Sequence, residues 1–319
     1  MPDLAHYLTR FRKLNTSRLA GEEAPYKPAL LLAVLEGIEE ESIQDNQIVI
    51  SAELLAAFQS NCRDLSTSGR FRANNFALPF YHLTGDGFWH LRTHVGQPLV
   101  LTSSGSPRSL GHLRQVVAYA ALDEPLWQLL QDQATRHIFR DTLLARYFPQ
   151  TRFRYRPSAG PDTLQVLGQQ MLQEPAAVYQ THLNLADEVE TAVRSAVFKR
   201  EVLRVYNYTC AISGLQLIST STTAPAPLLD ACHIVPWSIS HDDTIGNGLA
   251  LTPTLHRAFD RHLIRIDQDY RVHVAGSFRE LRGQEHGLQQ FEGQQLRLPE
   301  RPEWWPRKEG FGASCLAGM

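Results

Sequence analysis

The sequence has no long apolar run and no recognisable targeting segment at its start. Its longest uninterrupted apolar stretch, Ala29–Leu35, ends at Glu36 and is much shorter than the roughly 20 residues that a membrane-spanning helix needs. The first residues, Met1-Pro2-Asp3, lack the basic and apolar blocks of a signal peptide. We therefore expect a soluble, cytoplasmic protein that has no membrane partner.

Cysteine and lysine are both scarce. The four cysteines, at positions 62, 210, 232 and 315, form no CxxC pair, which argues against a disulfide framework and against an all-cysteine zinc site. Only 4 of the 31 basic residues are lysines, and the net charge is −2. Such a balance gives no general attraction for nucleic acid, so any DNA would have to be bound by local basic patches.

The 319 residues are enough for two domains of ordinary size. Residues 1–150 show the apolar spacing of several helices, and residues 187–206 predict a further helix with charges of both signs on its outer face. Between them, residues 151–186 begin with arginine, proline and glycine and are expected to form a linker and connecting segment. The sequence thus predicts an α+β protein with a mostly helical domain at 1–150 and a second domain at 187–319.

Within the first domain we expect several specific elements. A buried helix is predicted from Ala29 to about Glu39. Residues 77–83 and 88–91 flank a glycine-rich turn and predict a β-hairpin. Residues 113–121 and 125–148 have the apolar spacing of helices.

One segment of the second domain carries residues suited to chemistry. Leu228–Val235 is apolar enough to be a strand, and His233 lies near its end. A loop with Asn247 and a second short strand follow, and Pro253 then opens a helix that carries His256. Because a strand, a loop and a helix follow one another so closely, these three polar side chains can converge on one point.

The sequence around these three side chains reads CHIVP, NGLAL and HRAFD. It resembles the HNH nucleases over about residues 195–275, which implies a ββα-metal unit that hydrolyses phosphodiester bonds in DNA. His233 would take a proton from water, since the unperturbed pKa of imidazole is near ~6.5. His256 would hold a divalent cation at the scissile phosphate. Asn247 would fix the loop and orient His233 through its amide.

The resemblance leaves the remaining metal ligands open. Many HNH proteins have an acidic residue directly before the first histidine, but Cys232 stands there in this sequence. Asp230 lies three residues before His233, and Asp260 lies one helical turn beyond His256, so both aspartates are candidate ligands. Oxygen and imidazole ligands favour Mg²⁺ or Mn²⁺, and Co²⁺ or Ni²⁺ could substitute. A cysteine within an apolar strand is more often a core residue, whereas Cys232 as a ligand would favour a softer metal.

The first domain carries three further motifs, Ala24–Leu32, Leu78–Trp89 and Leu143–Phe148. With them, residues 1–150 resemble the sulfur-binding domain of modification-dependent (type IV) restriction endonucleases, which implies recognition of phosphorothioated DNA. Sulfur in place of a phosphate oxygen is larger and less hydrated, so a shallow apolar cage with a cationic rim could select it. The candidate DNA- and sulfur-binding residues are Tyr26, Lys27, Pro28, Leu78, Pro79, Phe80, His82 and Arg108.

The two resemblances together predict a modification-dependent endonuclease that binds double-stranded, phosphorothioated DNA and cuts nearby. One HNH site cuts one strand, so cleavage of both strands favours a homodimer. Two alternatives stay open. One is an HNH endonuclease that reads a modified base such as 5-methylcytosine, which needs a deep pocket with stacking aromatics. The other is a DNA-binding protein with an inactive HNH fold.

Overall fold

The chain forms two compact units in the computed structural model. The residues that the structure describes are 3–19, 21–67, 71, 75–103, 105–107, 109–157, 159–181, 183–184, 187–216, 228–278, 280 and 287–313. The N-terminal unit comprises residues 1–165 and 184–193, and the C-terminal unit comprises residues 166–183 and 194–319. Within the described residues, no helix combines the length and the apolar character that crossing a membrane requires.

The N-terminal unit is mostly helical. Its helices are α1 (Leu4–Arg12), α2 (Tyr26–Glu39), α3 (Ala52–Leu65), α4 (Ala77–His82), α5 (Leu110–Val116), α6 (Glu124–Leu129) and α7 (Gln133–Tyr147). Two antiparallel pairs join the strands β1 (Arg18–Leu19) with β2 (Glu22–Glu23), and β3 (Trp89–Thr93) with β4 (Val117–Leu122). As predicted, α2 is the buried helix: every residue from Lys27 to Ile38 lies in the core.

The predicted hairpin is wrong in its first strand. This stretch forms α4, because a helix places Phe76, Phe80 and Leu83 on one face, where all three are fully buried. The strand β3 pairs instead with the distant β4, and Trp89 lies opposite Leu122 in their register. The short apolar run was compatible with a strand or a helix, and the helix forms because it buries all three large side chains.

Two predicted helices are shorter than expected. The helix predicted over 113–121 ends at Val116, and the chain continues directly as β4. The helix predicted over 125–148 divides into α6 and α7, because Asp132 caps the start of α7. Its side chain accepts a hydrogen bond from the backbone N–H of Thr135 at 2.8 Å, which satisfies one of the unpaired N–H groups of the first turn.

Much of the segment predicted as a linker is helical. It contains a 3-10 turn at Arg152–Arg154, the helix α8 (Ala159–Gln173) and the helix α9 (Ala176–Thr181). The buried residues Leu167 and Met171 of α8 follow helical spacing. Apolar side chains on one face of a helix explain why this segment is ordered secondary structure and not a free tether.

The C-terminal unit contains the predicted strand–strand–helix order. After α10 (Glu188–Val205), whose first residues belong to the N-terminal unit, come β5 (Asp230–His233), α11 (Trp237–Ser240), β6 (Gly248–Leu251), α12 (Pro253–Asp260), β7 (Ile264–Ile266), β8 (Val272–Val274) and α13 (Lys308–Ala313). The strands pair antiparallel as β5 with β6 and β7 with β8. Of the three candidate catalytic residues, His233 lies on β5, Asn247 lies in the loop between β5 and β6, and His256 lies on α12.

Candidate nuclease site and DNA-recognition cavity

The β5–β6 hairpin brings His233 against α10. His233 lies opposite Gly248 in the register of the two strands. A Cβ on Gly248 would come within 2.5 Å of Cγ2 of Val202 and within 3.2 Å of Cζ of Phe198. Only glycine therefore lets α10 approach the hairpin closely at this point.

The His233 ring is held on two sides. Its Nε2 lies 2.9 Å from Oδ1 of Asp243, and its ring stacks on Phe198 with centroids 4.1 Å apart and planes 6° apart. An acceptor at Nε2 favours the tautomer that carries its proton there, which leaves the lone pair on Nδ1. The side chain is 22% exposed, so His233 has the orientation and the access that a general base needs.

Asp243 is the residue of this site that sequence reasoning missed. It is 2% exposed, and its Oδ2 accepts hydrogen bonds from Trp237 Nε1 at 3.1 Å and from the Tyr179 hydroxyl at 3.4 Å. Its Oδ1 is left for His233. The available signal is the run His241-Asp242-Asp243 in the loop between the strands, because an acidic residue near a candidate catalytic histidine is a candidate orienting group.

Asn247 closes that loop. Its Oδ1 accepts from the Val235 backbone N–H at 2.9 Å, and its Nδ2 donates to the carbonyl oxygens of Val235 at 3.1 Å and of Asp242 at 2.9 Å. Val235 follows His233 by two residues, and Asp242 directly precedes Asp243. Asn247 therefore fixes the backbone beside both partners, but the direct contact to His233 comes from Asp243 and not from the Asn247 amide as predicted.

His256 lies between two carboxylates. It is carried by α12, which begins at Pro253 as predicted. Its Nδ1 lies 3.3 Å from Oδ2 of Asp230 on β5, and its Nε2 lies 3.4 Å from Oδ2 of Asp260 on α12. The structure thus brings both candidate ligands to His256, and it places them at opposite nitrogens of the ring.

Cys232 lies on the same face of β5 as Asp230, since alternate residues of a strand point the same way. It is fully buried, and this burial raises the pKa of its thiol well above the ordinary value. Its Sγ lies 3.5 Å from the carbonyl oxygen of His233. It also lies within 4.8 Å of a ligand atom of His256 and of one of Asp260. The side chain expected to be core therefore borders the candidate metal site.

The N-terminal unit contains a cavity of about 550 Å³. Five candidate sulfur-binding residues line it: Tyr26, Lys27, Leu78, Pro79 and His82. The other lining residues are polar, small or aromatic, and they are Asn15, Thr16, Ser17, Ala24, Asn75, Tyr81, Thr84, Gly85 and Gly105. The cavity therefore combines apolar and polar lining residues, whereas the sequence suggested a shallow apolar cage with a cationic rim.

Two candidate sulfur-binding residues lie in the core instead. Phe80 is fully buried, and its ring lies 5.4 Å from that of Phe76 and 5.2 Å from that of Trp89. Pro28 is buried in the first turn of α2. Phe80 therefore anchors α4 in the core, while Leu78 and Pro79, the two residues before it on the same helix, line the cavity. Neither Phe80 nor Pro28 lies in the cavity wall.

Lys27 forms a buried ion pair at the cavity wall. Its Nζ lies 2.6 Å from Oδ2 of Asp86, and the two side chains are 9% and 4% exposed. Asp86 also accepts from the backbone N–H of Asn15 at 2.7 Å through Oδ1. The positive charge of Lys27 is thus largely neutralised within the protein. Arg108, the other predicted cation of the rim, lies outside the described residues.

His82 offers the cavity a neutral side chain. Its Nε2 lies 3.3 Å from Oγ of Ser106. Burial, and to a smaller extent the positive charge of Lys27, lower the pKa of His82 below its ordinary value of 6.5. Because both effects disfavour the charged form, His82 is uncharged at neutral pH.

Comparison with known families identifies the two units. Residues 210–267 match the family model described as HNH endonuclease, so the chain contains a nuclease domain of the HNH class. More particularly, residues 5–154 match the model described as the ScoMcrA-like DNA sulfur-binding domain. The chain therefore joins an N-terminal domain of the DNA sulfur-binding family to a C-terminal domain of the HNH endonuclease family, and the predicted α+β layout is confirmed.

Several solved structures are similar to parts of the chain. The sulfur-binding domain of ScoMcrA complexed with phosphorothioated DNA is 22% identical, with 45% of this chain and 87% of that chain covered and a TM-score of 0.37. The sulfur-binding domain of SprMcrA, also complexed with phosphorothioated DNA, is 24% identical, with 46% of this chain and 86% of that chain covered and a TM-score of 0.36. The type IV phosphorothioation-dependent restriction endonuclease ScoMcrA is 12% identical, with 79% of this chain and 94% of that chain covered and a TM-score of 0.36. No curated protein matches the chain.

Proposed function

We propose that the protein is a phosphorothioate-dependent DNA endonuclease. The observation that carries the proposal is that one chain joins a DNA sulfur-binding domain, at residues 5–154, to an HNH endonuclease domain, at residues 210–267. The first domain selects DNA by its modified backbone. The second hydrolyses a phosphodiester bond in the DNA that the first domain has bound.

In the proposed reaction, water attacks phosphorus and the bond from phosphorus to the 3′ oxygen breaks. His233 takes the proton of the attacking water at Nδ1, while the departing oxygen takes a proton from solvent. Asp243 holds the Nε2–H and stabilises the imidazolium that forms, because its carboxylate lies 2.9 Å away. Stacking on Phe198 keeps the ring in this orientation. Positioning and electrostatics thus supply most of the catalysis.

The residues around His256 fit a divalent metal ion. When bound, such an ion stabilises negative charge on the scissile phosphate and on the departing oxygen. Imidazole and carboxylate donors suit Mg²⁺ or Mn²⁺, and Co²⁺ or Ni²⁺ could substitute. Asp260 is the more exposed carboxylate, at 58% against 37% for Asp230, so the Nε2 side of His256 is the side open to DNA.

This arrangement assigns different roles to the two aspartates. Nε2 of His256 and the Asp260 carboxylate, 3.4 Å apart, would together hold the ion. Asp230 then accepts the Nδ1–H of the same ring and orients it, as carboxylates commonly do for metal-bound histidines. We therefore propose Asp260 as a ligand and Asp230 as a positioning residue, although the sequence suggested both as ligands.

The cavity of the N-terminal unit suits a weakly hydrated group. Leu78 and Pro79 supply apolar surface, and Lys27 is neutralised by Asp86. His82 is uncharged at neutral pH. A near-neutral wall favours sulfur over an ordinary phosphate oxygen, because the oxygen loses more hydration on burial. We propose this cavity as the place where the modified linkage binds.

The size of the cavity also supports a second candidate function, recognition of a modified base. A volume of about 550 Å³ lies within the usual range for small-molecule pockets. Tyr26 and Tyr81 provide aromatic side chains, and Asn15 and Asn75 provide polar groups that a flipped base could contact. This alternative predicts that Asn75→Ala weakens binding of a methylated duplex and that a phosphorothioate is ignored.

The proposal is tested with matched duplexes that are plain, methylated or phosphorothioated, each with Mg²⁺, Mn²⁺, Co²⁺ or Zn²⁺ in turn. We expect tight binding and cutting of the phosphorothioated duplex alone, and we expect His233→Ala to keep the binding and lose the cutting. Preferred binding of the methylated duplex would support the alternative. Binding of the phosphorothioated duplex without cutting by any divalent ion would indicate a regulator with an inactive nuclease fold.

We also propose that two copies act together, because one HNH site cuts one strand of a duplex. Sedimentation of the full chain, with and without a phosphorothioated duplex, tests this. A dimer in either state is expected, and a monomer in both states contradicts it.

A further inference from the structure

We propose that Cys232 is a ligand of the metal centre and that the centre therefore prefers thiophilic divalent ions, such as Zn²⁺ and Co²⁺, to Mg²⁺. The position of the ion at His256 rests on the proposed nuclease function. The chemical nature of the ion is a separate claim, which rests on the sulfur atom beside that histidine.

The geometry places three different donors together. One ligand atom each of Cys232, His256 and Asp260 lies within 4.8 Å of the other two, and among the described residues this is the one set of three potential ligands so closely grouped. Donors of a single tetrahedral ion, at roughly 2.0–2.3 Å from it, lie somewhat closer than that to one another. The Asp260 side chain is 58% exposed and so is free to rotate toward the other two donors.

Asp230 does not compete with the sulfur for this place. Its carboxylate lies at Nδ1 of His256, 3.3 Å away, whereas Asp260 lies at Nε2. The sulfur lies within 4.8 Å of an oxygen of Asp260, the carboxylate that faces Nε2. The sulfur and the Asp260 carboxylate therefore lie together beside His256.

A sulfur ligand changes which ions the centre holds. Mg²⁺ strongly prefers oxygen donors, whereas thiolate, imidazole and carboxylate together suit Zn²⁺ and Co²⁺. On binding, the S–H bond of Cys232 breaks, a sulfur–metal bond forms and the proton leaves to solvent. No oxidant or reductant is needed. With Cys232 as a ligand, the centre should bind Zn²⁺ or Co²⁺ more tightly than an oxygen-and-nitrogen site of the same shape.

The test uses the metal-free full chain and Co²⁺ alone, without DNA, followed by absorption spectroscopy. We expect a sulfur-to-cobalt charge-transfer band that titrates with one equivalent of Co²⁺ and that excess Zn²⁺ removes. Cys232→Ser should abolish the band and weaken Co²⁺ binding by at least roughly 10-fold, since losing even a residue that only orients a ligand costs that much. Cys232→Asp should restore binding of Co²⁺ without the band. Cys315→Ser and Cys210→Ser are the matched controls and should keep the band.

The outcomes separate this proposal from the nuclease function. Cobalt binding by the wild-type chain without a charge-transfer band overturns the sulfur ligand, as does a band that survives in Cys232→Ser. Because the wild-type spectrum alone gives the first result, the test holds even if a variant fails to fold, which circular dichroism checks. A failed nuclease proposal appears differently, as a sulfur–cobalt band in a protein that cuts no phosphorothioated duplex.

Discussion

Nε2 of His233 and Oδ1 of Asp243 lie 2.9 Å apart, although ten residues separate them in the chain. Asp243 is buried, and its second oxygen is occupied by Trp237. The contact therefore sets which nitrogen of His233 carries the proton and which way the ring points. In the proposed reaction, a histidine held in this way needs no rearrangement to act as the base.

The first prediction concerns this contact. Asp243→Asn should lower the cleavage rate by about 10²-fold or more with DNA affinity unchanged, because an amide no longer selects the Nε2–H tautomer or stabilises the imidazolium. Single-turnover cleavage at several pH values measures the effect. The matched control is Asp267→Asn, which removes a 2.8 Å contact between another aspartate and His273 in the same unit. Equal rates for Asp243→Asn and the wild type would rule out the orienting role.

The second prediction concerns the hydrogen bonds by which Asn247 closes the loop between β5 and β6. Asn247→Ala should lower the free energy of unfolding of the C-terminal unit by about 1–3 kcal/mol, since it leaves buried backbone groups of Val235 and Asp242 without their partner. Asn247→Asp keeps the acceptor for the Val235 N–H but sets a buried carboxylate oxygen against the carbonyl oxygens of Val235 and Asp242, so it should destabilise the unit at least as much. Hydrogen exchange of peptides from β5 and β6 measures both. Unchanged protection in Asn247→Ala contradicts the assignment.

The third prediction concerns the buried pair at the cavity wall. Lys27→Met should destabilise the N-terminal unit by about 3–5 kcal/mol, because it leaves the carboxylate of Asp86 buried without its cation. Lys27→Met combined with Asp86→Asn should recover much of this loss, and Lys13→Met, at an exposed lysine, should have little effect. Hydrogen exchange of α2 is the measurement. If the single and the double variant are equally destabilised, loss of the Lys27–Asp86 ion pair does not explain the destabilisation.

The fourth prediction concerns pH. Burial raises the pKa of Glu36 from its ordinary 4.5 to about 8, although Asn61 donates to its carboxyl group. Between these values the folded chain binds a proton that the unfolded chain lacks, so stability falls as pH rises through this window, by at most about 1.4 kcal/mol per pH unit. Above about pH 8 the stabilisation that this proton provides is fully lost, and below pH 4.5 it is fully present.

Glu36→Gln is the control for the pH prediction, because an amide of similar shape does not titrate. Protection of α2 peptides, corrected for the intrinsic exchange rate, should fall from pH 5 to pH 8 in the wild type and stay level in Glu36→Gln. The same fall in both proteins would assign the pH dependence to another group.

The elements that carry the candidate nuclease residues could be predicted from the sequence because they are close together in the chain. β5, β6 and α12 follow one another within residues 230–260, so turn and cap signals were enough to place His233 on a strand and His256 on the helix that follows. Asp243 was missed because its burial depends on Trp237 and Tyr179. Residue type alone does not reveal such an enclosure.

The N-terminal unit was harder to predict because its structure depends on contacts between distant residues. The strand β3 pairs with β4 far along the chain, and Trp89 lies opposite Leu122. Lys27 and Asp86, which neutralise each other, are 59 residues apart. A local pattern contains no record of such partners, so Lys27 resembled a free cation and Phe80 resembled a cage wall.

Competitive cleavage tests the central claim most directly. A phosphorothioated duplex and a plain duplex of the same sequence, labelled with different dyes, are mixed in one tube with the full chain and Mn²⁺. The account predicts that the phosphorothioated duplex is cut first and nearly exclusively, and that His233→Ala cuts neither. Equal rates for the two duplexes would contradict it.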